Sequence, residues 1–234
     1  MDDEVSKRGP VSTSIDPPAE SLTGFRTLDV RTDRLLLSWL RDAGVPDRAL
    51  KANEPAPDFL LPGANGKLVS SLELRQTAPL IITFVYGIWS PLCAAGLRTL
   101  HMAIPSIRAA GARAIAITPD AGDLPRNFKR DHRLDLEILS DLDLGLNLLF
   151  GLVSMVPAEI KSCLLQRGLD LSALHGFSVW MLPMPATYVL DQRGIIRRAC
   201  VGPDSITGAK TETLLAALSE LDGRRPSPLE PDGK

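Results

Sequence analysis

Residues 80–93 read LIITFVYGIWSPLC, and the order of residue types in this stretch decides the fold. Leu80 to Val85 is a nearly continuous run of apolar and β-branched residues, as in a strand buried on both faces. Tyr86-Gly87-Ile88-Trp89 then leaves the strand as a loop, and Ser90-Pro91 opens a helix. Serine is a good N-cap, and a proline at the next position lacks only an N–H that has no intrahelical partner anyway. The twenty uncharged residues from Ala78 to Leu97 have the length of a bilayer span, but Pro79, Gly87, Ser90, Pro91 and Gly96 interrupt them. A strand, a loop and a helix start account for the stretch, and a soluble protein without membrane partners is expected.

Working outward, the helical pattern runs from about Pro91 to Ala110, with Pro105 expected to kink it. Ala112 to Thr118 reads as the next buried strand, residues 123–132 as a helix, Leu136 to Leu139 as a short strand and Asp141 to Leu149 as another helix. A further helix is expected over Ala158 to Gln166. Ala186 to Asp191 and Ile195 to Val201 flank Gln192-Arg193-Gly194 as an antiparallel hairpin, and Thr211 to Leu221 closes the domain as a helix. Upstream, Asp58 to Leu61 and Lys67 to Ser70 form a smaller hairpin about Pro62-Gly63-Ala64-Asn65-Gly66. This order implies an α/β domain with a central mixed sheet flanked by helices. The loop after Val85 leaves the carboxyl end of a strand, where open α/β sheets place their sites.

Ahead of that domain, Leu28, Leu35, Leu36, Trp39 and Leu40 recur as on an amphipathic helix ending near Gly44, which packs either on the main domain or on a second subunit. The chain thus divides into a flexible tail (1–22), an N-terminal helical extension (23–50), the main domain (54–222) and a polar tail (223–234).

The 234 residues are 44% hydrophobic and 23% charged, an ordinary globular composition, and the net charge of −2 offers no field to recruit nucleic acid or anionic lipid. Three cysteines cannot build a disulfide framework, and the start MDDEVSKRGP lacks a secretory pattern, so a cytoplasmic, reducing location is expected. His101, His132 and His175 show no ligand spacing with the cysteines, and no Walker or GxGxxG loop is present, so neither metal nor cofactor is expected. Asp131, Asp135, Glu137, Asp141 and Asp143 read as solvated element ends.

Cys93 falls at the third position of the helix that Ser90 caps. A thiolate there is favoured by the helix dipole and by unpaired N–H groups, which lower a cysteine pKa, and the thiolate is the nucleophile. The spacing fits equally an inert cysteine buried beneath a well-capped helix. Cys163 lies on an apolar helical face and Cys200 in a strand; either resolves an oxidised Cys93 only within disulfide reach.

The stretches APDFLLPGANGKLVS, GIWSPLC, AIAITPD and LPMPATYVLDQRGIIR resemble peroxiredoxin-like proteins of the alkyl hydroperoxide reductase and thiol-specific antioxidant (redoxin) family, from about Glu54 to Leu221. The resemblance implies a thioredoxin-like sheet and a cis peptide before Pro185 facing Cys93. ILSDLDLGLNLLFGLV and Ser178-Val179-Trp180 look like the subgroup with an inserted helix. That subgroup usually carries a tryptophan followed by CPxC; here Trp89 is followed by Ser90-Pro91-Leu92-Cys93, with serine in place of the first cysteine. In the register of peroxiredoxins proper, the same spacing makes Cys93 peroxidatic and Ser90 the hydroxyl that orients peroxide. The departures are Tyr86 in place of a proline, Gly96 in place of an acid, and Met184-Pro185 where an arginine usually stands; Arg98 is a partial substitute.

The resemblance therefore implies a thiol-dependent peroxidase acting on hydrogen peroxide or organic hydroperoxides. Cys93 and Ser90 would be catalytic, with Tyr86, Trp89, Pro91, Pro185 and Arg98 around the substrate and Ile88 completing an apolar collar. Cys163 or Cys200 are candidate resolving cysteines, an external thiol such as thioredoxin or glutathione is the reductant, and a homodimer is allowed. Two other readings stay open: a catalytically degenerate thioredoxin-fold binding protein, with the apolar loop Phe177 to Pro185 as its partner surface, and a thiol–disulfide oxidoreductase.

Overall fold

The computed structural model describes residues 29–202, Ser205 and 211–222. The two expected tails lie outside the described residues. In chain order the elements begin with α1 (Val30–Asp42) and α2 (Val45–Arg48), then β1 (Leu60–Pro62), β2 (Leu68–Ser70), α3 (Ser71–Thr77) and β3 (Leu80–Phe84). They continue with α4 (Pro91–Ala109), β4 (Arg113–Thr118), α5 (Leu124–Asp131), β5 (Glu137–Ser140), α6 (Gly145–Leu149) and β6 (Val153–Met155). Then come α7 (Ala158–Gln166), α8 (Leu171–His175), β7 (Met181–Pro183), β8 (Ala186–Leu190), β9 (Ile196–Val201) and α9 (Thr211–Asp222).

Five strands form the central sheet in the order β5-β4-β3-β8-β9. β3 pairs parallel with β4, which pairs parallel with β5, whereas β8 runs antiparallel to both β3 and β9. The sheet is mixed, as expected, because a helical crossover links each parallel pair and a tight turn links β8 to β9. β3 and β8 are buried along their whole length, which is why both read as continuous apolar runs. Their one polar cross-strand pair satisfies itself: the hydroxyls of Thr83 and Thr187 lie 3.2 Å apart. α4 packs on β4 and on α9, and α9 on β8, so these two helices share a face of the sheet.

Three features differ from expectation. The helix over 141–149 is shortened to α6, because Asp141 is not a solvated residue but a buried carboxylate outside the helix. It accepts from the Leu146 and Asn147 backbone N–H groups (3.1 and 2.8 Å) and from the Asn147 amide (2.7 Å), and burial raises its pKa. A small hairpin, β6 with β7, joins two segments 25 or more residues apart. No cis peptide occurs among the described residues, so the Met184–Pro185 bond is trans. The chain there is already held extended: Met184 N–H donates to Leu152 O (2.7 Å), and Pro185 O accepts from Gly202 N–H (2.9 Å). For an X–Pro bond, trans is the intrinsically favoured isomer by about 0.5–1 kcal/mol.

The expected amphipathic helix is α1, capped by Asp29, whose carboxylate accepts from Thr32 N–H at 2.9 Å. It packs on α2 and α4, burying Leu36 and Leu40, so the extension is part of this chain's own body.

Candidate active site

The site grows from the end of β3. Val85 N–H donates to Ile117 O (3.0 Å), carrying the pairing one residue past the strand before the chain turns away. Gly87 is required by close approach, since any Cβ there would fall inside the Trp89 indole. Ile88 N–H is taken by Asp120 Oδ2 at 2.7 Å, an oxygen that also accepts from the Thr118 hydroxyl at 2.5 Å. Asp120 is fully buried with its other oxygen unpartnered, and burial raises its pKa to about 6. The loop is thus tied to the end of β4 by one buried carboxylate.

The helix start forms as its sequence dictates. Ser90 is the N-cap of α4, Pro91 follows at the first position, and Cys93 N–H donates to Ser90 Oγ at 3.0 Å. The Ser90 hydroxyl in turn donates to Asp33 of α1, whose two oxygens lie 2.9 and 2.7 Å away. Asp33 also accepts from Leu92 N–H at 3.0 Å and from the Tyr86 hydroxyl, which sits 3.0 Å from Ser90 Oγ. Asp33 is fully buried, so a carboxylate from the N-terminal extension fills the space in front of the α4 start.

Cys93 is fully enclosed, and this reverses the expected direction of its pKa. Burial pushes the thiol up to about 12, and the charge of Asp33 adds to that. The polar groups of Ser90 and of the Tyr86 and Gly87 backbone pull the other way without prevailing. The helix dipole does not prevail because a helix start lowers a thiol pKa only where the thiolate keeps enough solvation, and here desolvation is the larger effect. At neutral pH the closed site holds a thiol.

The other expected residues scatter. Tyr86, Ile88 and Trp89 surround Cys93's helix start but are themselves buried, so the expected collar is a plug; the Tyr86 and Trp89 rings lie 5.5 Å apart. Pro91 is half-buried at the helix start and Pro185 is buried at the head of β8. Arg98 is exposed, and its charge acts on His132, whose pKa is lowered by burial first and by Arg98 second. Cys163 and Cys200 are half-buried and unbonded: Cys163 Sγ accepts from Arg167 at 2.9 Å on its own helix, and Cys200 stands opposite Thr187 in the sheet. In the Phe177 to Pro185 segment Trp180 is buried under Lys161, and Val179 is exposed. Among the described residues no group of three or more His, Cys, Asp or Glu is placed to hold a metal ion, and no helix is long and apolar enough to cross a membrane.

Sequence reasoning missed Asp33 and Asp120. Asp33 had a signal: positions 33, 36 and 40 lie on one helical stripe, so an acid shares the buried face of Leu36 and Leu40. Asp120 ends the strand-and-turn AIAITPD at the same sheet edge as the loop.

Comparison with known proteins agrees with this architecture. Peroxidoxin BcpB from Mycobacterium tuberculosis superposes with a TM-score of 0.60 at 18% identity, over 74% of this chain and 98% of that one. Peroxiredoxin Q from Xanthomonas campestris gives 0.55 at 18% identity, over 69% and 90%. The yeast mitochondrial 1-Cys peroxiredoxin gives 0.57 at 14% identity, over 79% and 84%. These likenesses establish the thioredoxin-like peroxiredoxin fold. No curated protein matches the sequence. A sequence profile of the AhpC/TSA family matches residues 52–199, more than half of the chain and all of the β3–α4 site, and the chain belongs to that family.

Proposed function

We propose that the chain is a thiol-dependent peroxidase acting through Cys93. The observation that carries this reading is the placement of Cys93: third residue of α4, just beyond the carboxyl end of β3, with its N–H on Ser90 Oγ. A helix start stabilises negative charge on sulfur or on a departing oxygen, as an oxyanion hole does. In the reaction Cys93 loses its proton and attacks the terminal peroxide oxygen; the O–O bond breaks, the S–O bond forms, and the leaving oxygen takes the proton as water or an alcohol. Cys93 is oxidised to a sulfenic acid. Two equivalents of an external thiol of the thioredoxin or glutathione class then return it to the thiol, releasing their disulfide and water. A cytoplasmic, reducing setting fits that reductant.

A second reading rests on a specific observation. With Cys93 enclosed and its pKa near 12, the closed form is a silent thiol, which suits a degenerate thioredoxin-fold binding protein. Brief exposure to low hydrogen peroxide with a sulfenic-acid trap, read by peptide mass spectrometry, separates them. Stoichiometric trapping at Cys93, with none at Cys163 or Cys200, is the peroxidase result. An unmodified Cys93 under conditions that oxidise exposed Met102 gives the binding protein.

A further inference from the structure

We propose that α1 is an autoinhibitory latch, with the Asp33 carboxylate as its bolt, so that Cys93 becomes reachable only when α1 undocks from an otherwise folded domain. The proposal gives the peroxidase reading its gate and rests on that reading for its biological meaning, but the latch itself is a statement about access.

The first support is what Asp33 binds. All three of its donors from outside α1 belong to the β3–α4 segment: the Tyr86 hydroxyl, the Ser90 hydroxyl and the Leu92 N–H. Among the described residues Asp33 has no cationic partner. A hydroxyl and a helix-start N–H in front of a cysteine are the groups an incoming oxygen substrate would use. Asp33 therefore occupies, from the chain's own N-terminal helix, the place such a ligand would take.

The second support is what the carboxylate does to the thiol. It is bound to the hydroxyl and the N–H on either side of Pro91 at the helix start that carries Cys93, and its negative charge opposes ionisation of the sulfur. Removing Asp33 thus opens the site and removes a repulsion in one motion.

The third support is how α1 is held. It contributes no strand to the sheet, and its backbone hydrogen bonds close within the helix and its caps, so undocking breaks no sheet ladder. Its apolar grip is Leu36 and Leu40, with Leu37 and Trp39 half-buried, while Val30 and Leu35 stay exposed. With that narrow apolar grip, α1 is held to the site chiefly through Asp33, and an element outside the sheet held in this way opens before the sheet does.

The test uses the full chain and iodoacetamide, with alkylation of each cysteine followed by peptide mass spectrometry in wild type, Asp33→Ala and Asp33→Asn. Losing a charged hydrogen-bond acceptor is expected to raise the Cys93 rate by about 10- to 100-fold, while the Cys200 rate in β9 stays as in wild type. Amide hydrogen exchange of wild type should show residues 30–42 exchanging faster than residues 80–84 and 113–118. A Cys93 rate that does not change, a Cys200 rate that rises in step with it, or α1 amides that exchange only together with the sheet would each overturn the latch. The reagent contains no peroxide, so the two proposals fail separately. A Cys93 that is freed yet forms no sulfenic acid removes the peroxidase and keeps the latch.

Discussion

The Ser90 hydroxyl donates to the carboxylate of Asp33, 57 positions earlier in the chain, at 2.9 and 2.7 Å from its two oxygens. The same oxygen accepts the Cys93 N–H. Ser90 is therefore an N-cap and the anchor of α1 at once, and in the closed form its single proton is engaged. Ser90→Ala loses the cap and one donor to a buried carboxylate, an expected destabilisation of about 2–4 kcal/mol in urea unfolding. A loss below about 1 kcal/mol would mean that Asp33 finds water there instead.

Enclosure of Cys93 sets how its reactivity follows pH. With the thiol pKa near 12, alkylation of wild type should rise about tenfold per pH unit from pH 7 to 10 without levelling off. A plateau below pH 9 would show that the enclosed thiol is not the resting form.

Asp120 and His175 oppose each other in pH-dependent stability. Asp120, raised to about 6 by burial, favours the fold while protonated: that contribution is full below about pH 4 and is lost as pH rises through 6. His175, lowered to about 4 by burial with both ring nitrogens unpartnered, favours the fold while neutral: that contribution is full above about pH 6.5 and is lost as pH falls through 4. The two slopes offset each other between about pH 4 and 6. Relative to wild type, Asp120→Asn should lose stability on acidification from pH 6.5 to 4.5, and His175→Leu should gain it. Urea midpoints at the two pH values measure this, and variants that keep the wild-type slope would contradict it.

Gly87→Ala places a methyl group inside the Trp89 ring and forces either the indole or the loop to move. An expected cost of about 1–3 kcal/mol follows from overpacking a closed site. Thermal unfolding gives the cost, and near-ultraviolet circular dichroism shows whether the Trp89 environment changes; an unchanged melting temperature would mean that the loop is looser than its packing.

What could be read in the sequence was local. The β3 run, the Ser90-Pro91 helix start and the position of Cys93 all depend on residues within a few places of one another, and each appears in the structure where the sequence puts it. The cost of enclosing Cys93 is not local: it comes from α1 in front and the plug of Tyr86, Ile88 and Trp89, so its pKa was expected in the wrong direction. β6 and β7 have three residues each and find each other across α7 and α8, which no periodicity in so short a run reveals. Asp141 reads as surface charge because an acid between Ser140 and Leu142 gives no hint that three N–H groups will converge on it.

The convergence on Asp33 also ties distant positions into one unit of inheritance. Tyr86, Ser90 and Asp33 exchange hydrogen bonds while fully buried, so changing one alone strands the others. Descendants of this chain should alter the three together, and a lineage that drops the acid at 33 should also shed the phenol at 86. The helix ahead of the domain and the loop within it would then evolve as a pair, although 43 residues separate the end of one from Tyr86.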